Sequence, residues 1–280
     1  MQPLVSTRWL EAELGAPDLL MLDASAHLPT ANRDAAQEFV DGHIPGARFL
    51  ALKSMTNPDD PVPSAPPTRA QFDAHMAALG LREGQRIVLY DNSDLRSAAR
   101  GWFVLRLFGL EEIAILDGGL QKWIAEGRAI ETGAVEPSPS ALVSSGGRGS
   151  IRYKADMLAN IESRKEQVVD ARGAARFTGE EGDFRPGVSN GHIPGSRNLP
   201  FGAVFNDDGT YKHVAGIRAA FTEAGVDIDQ PVTTTCGSGI TASVLLFAMH
   251  LAGREGALYD GSWSEWGSDP DMPVETGPAV

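Results

Sequence analysis

The sequence of 280 residues contains one cysteine, few aromatic residues (7%) and fewer basic than acidic residues. One cysteine cannot form an internal disulfide, which fits a reducing compartment such as the cytoplasm. Lys and Arg number 24 against 37 Asp and Glu, a formal net charge of -13, so nucleic acid and anionic membranes are not expected as partners. The composition therefore predicts an acidic, soluble globular protein, in which any anion-binding site needs its own arginines.

The sequence also lacks the signals of membrane insertion and of the common cofactor sites. Charged residues interrupt residues 1–14, so we expect no signal peptide. The uncharged stretch 230–253 contains threonines and glycines, and it fits a buried strand and helix better than a membrane span. The lone cysteine and six scattered histidines form no metal-ligand cluster, and no G-x-G-x-x-G motif opens a helix. We therefore expect no cofactor and no metal.

The sequence does contain one series of motifs twice, about 140 to 150 residues apart. Each half has a buried strand that ends in Asp, then Gly-His-Ile-Pro-Gly, and finally a strand followed by Asp-Gly. In the first half these three motifs lie at 20–23, 42–46 and 115–118. In the second half they lie at 168–170, 191–195 and 258–261. Strands that alternate with helices predict an α/β fold, a parallel sheet flanked by helices, in each half. We expect domains at 1–130 and 150–280, joined by a Pro-, Ser- and Gly-rich linker at 131–149.

The cysteine lies between a β-rich run, 232–235, and an apolar helix predicted at 241–252. In open α/β sheets, ligands bind outside the carboxyl ends of the strands. A tight loop at a helix N-terminus directs its N–H groups at negative charge and favours the thiolate form of a thiol. Cys236 is therefore a candidate nucleophile; the alternative is a buried, inert cysteine. Asp91 stands at the matching position of the first half. Since a carboxylate is no sulfur nucleophile, we expect only the second half to be catalytic.

These motifs resemble the rhodanese superfamily, and specifically its two-domain sulfurtransferases. The segments 39–47 and 260–263 resemble the two signatures of that superfamily, and Cys236-Gly-Ser-Gly-Ile-Thr-Ala resembles the active loop of its 3-mercaptopyruvate sulfurtransferase branch. Thiosulfate sulfurtransferases carry Arg and Lys where Gly237 and Ser238 stand. The resemblance implies a ping-pong reaction: Cys236 takes sulfur from 3-mercaptopyruvate, rests as a persulfide and passes the sulfur to a thiol or cyanide.

The resemblance also implies which groups bind the donor. Backbone N–H groups of the loop would hold the persulfide, at Gly237, Gly239, Ile240, Thr241 and Ala242. Two arginines of the second domain would bind the donor's carboxylate and ketone, and Arg176 and Arg185 match them. The alternative is that both are surface arginines paired with the acidic residues at 180, 181 or 183.

Three further residues are candidates for proton transfer. Ser238 could donate its hydroxyl to the departing enolate, or it could stabilise the turn through a backbone hydrogen bond. His43, together with Asp34, could orient Ser238 in a relay, as the resemblance implies. His192 occupies the same repeated motif, however, and this repetition favours a structural role for both histidines. By the same reasoning, Asp23 and Asp170 are expected to be buried anchors of their sheets.

Several functional alternatives remain open. Thiosulfate is the alternative donor, and a non-catalytic persulfide carrier or sensing module is the alternative without turnover. The acceptor could be a small thiol or a thioredoxin-like protein. A phosphatase is excluded, because its cysteine loop needs an arginine six residues after the cysteine, where Ala242 stands.

Overall fold

The structure is a computed structural model that describes residues 1–144 and 146–279; Ser145, in the predicted linker, lies outside the described residues. It divides into two compact units. The first contains Met1–Asp59, Pro66–Arg148 and Asn206–Tyr211, and the second contains Asp60–Ala65, Gly149–Phe205 and the chain from Lys212 onward. Each half of the sequence therefore forms one unit and also contributes a short segment to the other.

The first unit is built on a five-stranded sheet whose strand pairs are all parallel. The strands are β1 (Leu4–Val5), β2 (Leu19–Asp23), β3 (Arg48–Phe49), β4 (Arg86–Tyr90) and β5 (Ile113–Leu116), in the order β1-β5-β4-β2-β3. The helices are α1 (Thr7–Glu13), α2 (Ala35–Asp41), α3 (Arg69–Ala78), α4 (Ala98–Leu107) and α5 (Gly119–Ala125).

The second unit repeats this sheet. Its strands are β6 (Ser150–Arg152), β7 (Gln167–Asp170), β8 (Arg197–Asn198), β9 (Val232–Thr235) and β10 (Ala257–Tyr259), in the order β6-β10-β9-β7-β8. The helices are α6 (Lys154–Ser163), α7 (Ala174–Thr178), α8 (Val214–Glu223), α9 (Ile240–Leu251) and α10 (Ser262–Trp266). The predicted α/β fold in two tandem copies is confirmed.

Burial explains why these segments form strands and helices. The central strands β4 and β9 are buried along nearly their whole length, as apolar or β-branched runs covered on both faces should be. Helix α9 is buried from its second to its tenth residue, which explains why its sequence resembles a membrane span. No helix in the described ranges is long and apolar enough to cross a membrane.

The segment predicted as a linker begins with residues that belong to the repeat. Glu131 and His43 exchange two backbone hydrogen bonds of 2.9 Å, and Glu275 and His192 exchange two of 2.8 and 3.0 Å. Each glutamate is followed by Thr-Gly, so an identical Glu-Thr-Gly closes each half. Further along, the Ser140 N–H donates to the carbonyl of a residue in α3 at 2.9 Å. The described residues up to Arg148 therefore pack as part of the first unit.

Asp23 and Asp170 end corresponding strands and are both buried, as expected, but their environments differ. Asp170 forms a buried ion pair with Arg172, with Oδ2 at 2.7 Å from Nη2. Asp23 instead accepts a hydrogen bond from the Ser25 N–H at 2.9 Å. Burial raises the pKa of the Asp23 carboxyl from 3.8 to about 6, against the opposing hydrogen bonds from Ser25.

We expect Asp23→Asn to raise the free energy of unfolding at pH 8 by about 3 kcal/mol. The pKa of this carboxyl is higher in the folded than in the unfolded chain, so the wild-type protein loses stability as the pH rises from about 4 through about 6. An amide does not titrate and can still accept the hydrogen bond. Urea unfolding at pH 4 and pH 8 measures the difference.

The matched control is Asp170→Asn, which leaves Arg172 buried without its ion partner. This variant should be destabilised by about 3 kcal/mol, because an uncompensated buried charge is costly. Equal effects of the two substitutions would contradict the assignment of different environments.

Candidate active site

The backbone of Cys236 is anchored at the carboxyl end of β9. Its N–H donates to Ser262 Oγ at 3.3 Å, and its carbonyl accepts from the Trp263 N–H at 2.9 Å. Both partners begin α10, in the Asp-Gly-Ser-Trp motif found in the sequence. Ser262 adopts a positive φ of 51° and hydrogen-bonds the Tyr259 carbonyl through its hydroxyl (2.9 Å). The C-terminal motif therefore fixes the position of the cysteine, a role that its sequence alone did not indicate.

The loop after Cys236 presents a series of free backbone donors. Within the described chain, no protein acceptor is hydrogen-bonded to the N–H groups of Gly237, Ser238, Gly239, Ile240 and Thr241. Gly239 has a φ of 78°, in the left-handed region that favours glycine, and α9 starts at the next residue. Four of these five donors lie at or beside a helix N-terminus, where negative charge is favoured. The residue Cys236 is 2% exposed. The loop can therefore stabilise an anion at a largely buried position.

The corresponding loop of the first unit surrounds a carboxyl group, that of Asp91. The Asp91 carboxylate follows β4 and accepts hydrogen bonds from the N–H groups of Ser93 (3.1 Å) and Ala98 (2.7 Å). Burial raises the pKa of Asp91, and these backbone hydrogen bonds oppose the rise. The two oxygens of the Asp91 side chain thus each accept from one backbone N–H group of this loop.

Arg176 and Arg185 converge on the cysteine loop. A Cβ placed on Gly237 would lie 3.5 Å from Arg185 Nη2 and 3.9 Å from Arg176 Nη2. Gly237 directly follows Cys236, so both guanidinium groups lie beside the cysteine loop. Arg176 Nε is buried and has no hydrogen-bond partner in the described chain.

The same two arginines share one carboxylate, that of Asp183. Arg185 Nη1 donates to Asp183 Oδ1 at 3.0 Å, and Arg176 Nη2 donates to Asp183 Oδ2. Both guanidinium groups also lie over the Phe184 ring, at 5.5 Å (Arg176) and 4.4 Å (Arg185) from its centroid. The alternative expectation of an acidic partner for each arginine is thus correct, and it is compatible with their position at the loop.

The remaining loop residues are placed as follows. Ser238 is half-buried, and its hydroxyl has no hydrogen bond to any residue that the structure describes, so the proposed turn-stabilising bond is not formed. Ile240 and Thr241 are the first two residues of α9, and Ala242 is buried in the first turn. Gly239 occupies the N-cap position of α9.

His43 lies in the first unit and is fully buried. Its Nδ1 lies 2.7 Å from the Phe39 carbonyl oxygen, and the two rings stack at 4.0 Å. His192 makes the same contacts with Phe177 in the second unit, at 2.8 Å and 3.7 Å. The His-Ile-Pro-Gly histidine therefore has the same structural role in both halves. Asp34 forms the N-cap of α2, accepting from two backbone N–H groups at 3.0 and 3.2 Å.

Two further contributors to this site are Ser262, which sequence reasoning missed, and Asp183, which it named only as one possible partner of the arginines. The hydroxyl of Ser262 anchors Cys236, and the carboxylate of Asp183 holds the two arginines. For Asp183 a signal existed, since an acid between two candidate ligand arginines can pair with both. No group of three or more His, Cys, Asp or Glu residues in the described ranges is placed to hold a metal ion.

The fold and the site define a tandem α/β protein with one cysteine held at the end of a central strand. The Rhodanese-like domain matches residues 6–126 and 154–269, and the chain belongs to this family. It is 38% identical to the 3-mercaptopyruvate sulfurtransferase of Homo sapiens over 270 residues, which cover 94% of this chain and 91% of that protein. It is 36% identical to the thiosulfate sulfurtransferase of Gallus gallus, over 94% and 92% of the two chains. The crystal structure of the 3-mercaptopyruvate sulfotransferase SseA from Escherichia coli matches with a TM-score of 0.84 and 34% identity, over 95% of this chain and 100% of that chain.

Proposed function

We propose that this protein is a 3-mercaptopyruvate sulfurtransferase, with Cys236 as its nucleophile. The observation that carries the proposal is the position of Arg176 and Arg185 beside Gly237, next to the cysteine. 3-Mercaptopyruvate combines a thiol with a ketone and a carboxylate, and guanidinium groups bind such oxygens in fixed geometry.

The reaction consists of two transfers. The Cys236 thiolate attacks the donor sulfur, an S–S bond forms, and the carbon–sulfur bond breaks with its electron pair going to the enolate of pyruvate. The proton of the donor thiol ends on the enolate carbon, through Ser238 or water, which gives pyruvate and a Cys236 persulfide anion. An acceptor thiolate or cyanide then attacks the outer sulfur, and the Cys236 thiolate leaves. The free N–H groups of the loop stabilise the anion at each stage.

A comparison of two donors tests this proposal. With cyanide as acceptor, we expect a clearly higher kcat/KM for 3-mercaptopyruvate than for thiosulfate. Intact-mass spectrometry after incubation with 3-mercaptopyruvate should show one added sulfur, about 32 Da, on the only cysteine. A preference for thiosulfate would support the alternative of a thiosulfate sulfurtransferase. Persulfide formation without turnover would support a carrier or sensing module.

The proposed mechanism also indicates the kind of sulfur acceptor and the kind of compartment. A persulfide is discharged by a thiolate, so a small thiol or a thioredoxin-like protein is the proposed acceptor. A free catalytic thiol favours a reducing compartment such as the cytoplasm.

The participation of His43 and Asp34 in proton transfer remains a prediction. Asp34→Asn tests it with little structural change, because Asn is as good an N-cap as Asp. If Asp34 acts through its charge, the variant should lose at least about tenfold in kcat. An unchanged kcat would leave Asp34 with the capping role alone.

A further inference from the structure

Asp183 is the most deeply buried charged group among the three that form the arginine cluster. Its side chain is 2% exposed, against 20% for Arg176 and 26% for Arg185. Besides the two guanidinium groups, the backbone N–H of Arg185 donates to Asp183 Oδ1 at 3.0 Å. Burial raises the pKa of Asp183, but this backbone hydrogen bond and the charges of the two arginines outweigh burial and hold the pKa below its usual value. The carboxylate is therefore ionised at neutral pH.

The ionised carboxylate sets the charge that the cluster offers to a donor. Two guanidinium groups carry a charge of +2, and one shared carboxylate reduces the sum to +1. Since the guanidinium groups lie next to Gly237, the net charge of +1 is located directly beside the reacting cysteine. A donor with one negative charge balances the cluster, whereas a donor with two leaves one charge uncompensated in a partly buried site.

We propose that Asp183 is a specificity-determining residue that makes this site select monoanionic over dianionic sulfur donors. This inference depends on the proposed function, because it concerns the donor bound beside Cys236. Gly237 and Ser238 add no cation to the loop, so Asp183 completes a site whose net charge matches a single carboxylate. Asp183 also positions both arginines, and the two roles can be separated by experiment.

The test is the ratio of kcat/KM for thiosulfate to kcat/KM for 3-mercaptopyruvate in Asp183→Asn. Asp183→Asn removes a negative charge about 6 Å from the bound donor. For each negative charge on the donor, binding should then strengthen by about 3- to 100-fold, for effective dielectric constants between 80 and 20. Binding of a dianionic donor therefore strengthens by the square of this factor, and binding of a monoanionic donor by the factor itself. We therefore expect the ratio to rise about tenfold, even if looser arginines lower both values. Inhibition constants for sulfate and for pyruvate should shift in the same direction.

Two variants serve as controls. Asp183→Glu keeps the charge and should keep the wild-type ratio, whatever its effect on the absolute rates. Asp229→Asn makes the same change of charge at another aspartate that pairs with two arginines, Arg218 and Arg254, close to the start of β9 rather than its end. Its ratio should also stay at the wild-type value.

The outcomes distinguish this inference from the proposed function. If the wild-type protein forms no persulfide with 3-mercaptopyruvate, the proposed function is wrong. If the wild-type protein uses that donor and Asp183→Asn lowers kcat/KM for both donors in equal proportion, Asp183 is structural only and the inference is overturned. If this kcat/KM ratio rises in Asp183→Asn and stays at the wild-type value in Asp183→Glu, the inference is supported.

Discussion

Cys236→Ser is expected to abolish sulfur transfer, with a loss in kcat of at least about 10³-fold, while the fold is retained. A serine hydroxyl is not ionised at neutral pH and cannot accept and release a sulfur atom as a thiolate does. The residue is buried and its backbone is held by Ser262 and Trp263, contacts that the substitution leaves in place. Activity with 3-mercaptopyruvate and cyanide, together with the intact mass of the protein, measures the effect.

Thermal unfolding shows whether the loss of activity comes from the missing thiol or from a destabilised fold. A hydroxyl at this buried position should cost about 1 kcal/mol, so Tm should fall by no more than about 4 °C. Cys236→Ala removes the polar atom altogether and should be equally inactive. Because the chain has no other cysteine, any sulfur that either variant still gains or transfers would have to come from another residue, and the assignment of the nucleophile would be wrong.

Arg176→Ala is expected to lower kcat/KM for 3-mercaptopyruvate by about 100-fold, mainly through KM. The arginine approaches the loop at Gly237, where its guanidinium group can bind the donor carboxylate. Loss of the side chain also leaves Asp183 with one guanidinium group instead of two. Steady-state kinetics at varied donor concentration measure the change.

The second half-reaction provides the internal control for Arg176. A persulfide formed at saturating donor should pass its sulfur to cyanide at nearly the wild-type rate, because the donor has already left. Arg218→Ala removes a half-buried arginine that pairs with Asp229 and should change kcat/KM by less than about twofold. If Arg176→Ala had wild-type kinetics, the carboxylate-binding role of this arginine would be refuted.

Much of the fold could be predicted because its signals are local. Strands β4 and β9 are short apolar or β-branched runs, which favour strands by their local sequence. The doubling of the motifs predicted two copies of one sheet, and both sheets have the same strand order. The helix after Cys236 starts one residue earlier than predicted, because Gly239 with its positive φ forms the turn that precedes it.

The ends of the two units were harder to predict. Each unit takes a short segment from the other half of the chain, 60–65 or 206–211, and neither segment carries a pattern that marks this exchange. The Glu-Thr-Gly triplets at 131–133 and 275–277 did carry a signal, since they are identical, but three residues within a Pro- and Ser-rich stretch look like linker. Their backbone pairing with His43 and His192 depends on residues over 80 positions away.

The sequence by itself determined that each half forms a parallel sheet and that a cysteine follows a strand in the second half alone, because strand and loop preferences depend on neighbouring residues. Only the tertiary structure decided how that cysteine is surrounded. Surface arginines are common, and nothing local separates Arg176 and Arg185 from the rest. Asp183 brings their guanidinium groups together beside Gly237, in a loop about 50 residues away in the chain. Such convergence follows from packing and charge pairing between distant segments, which the order of residues does not display.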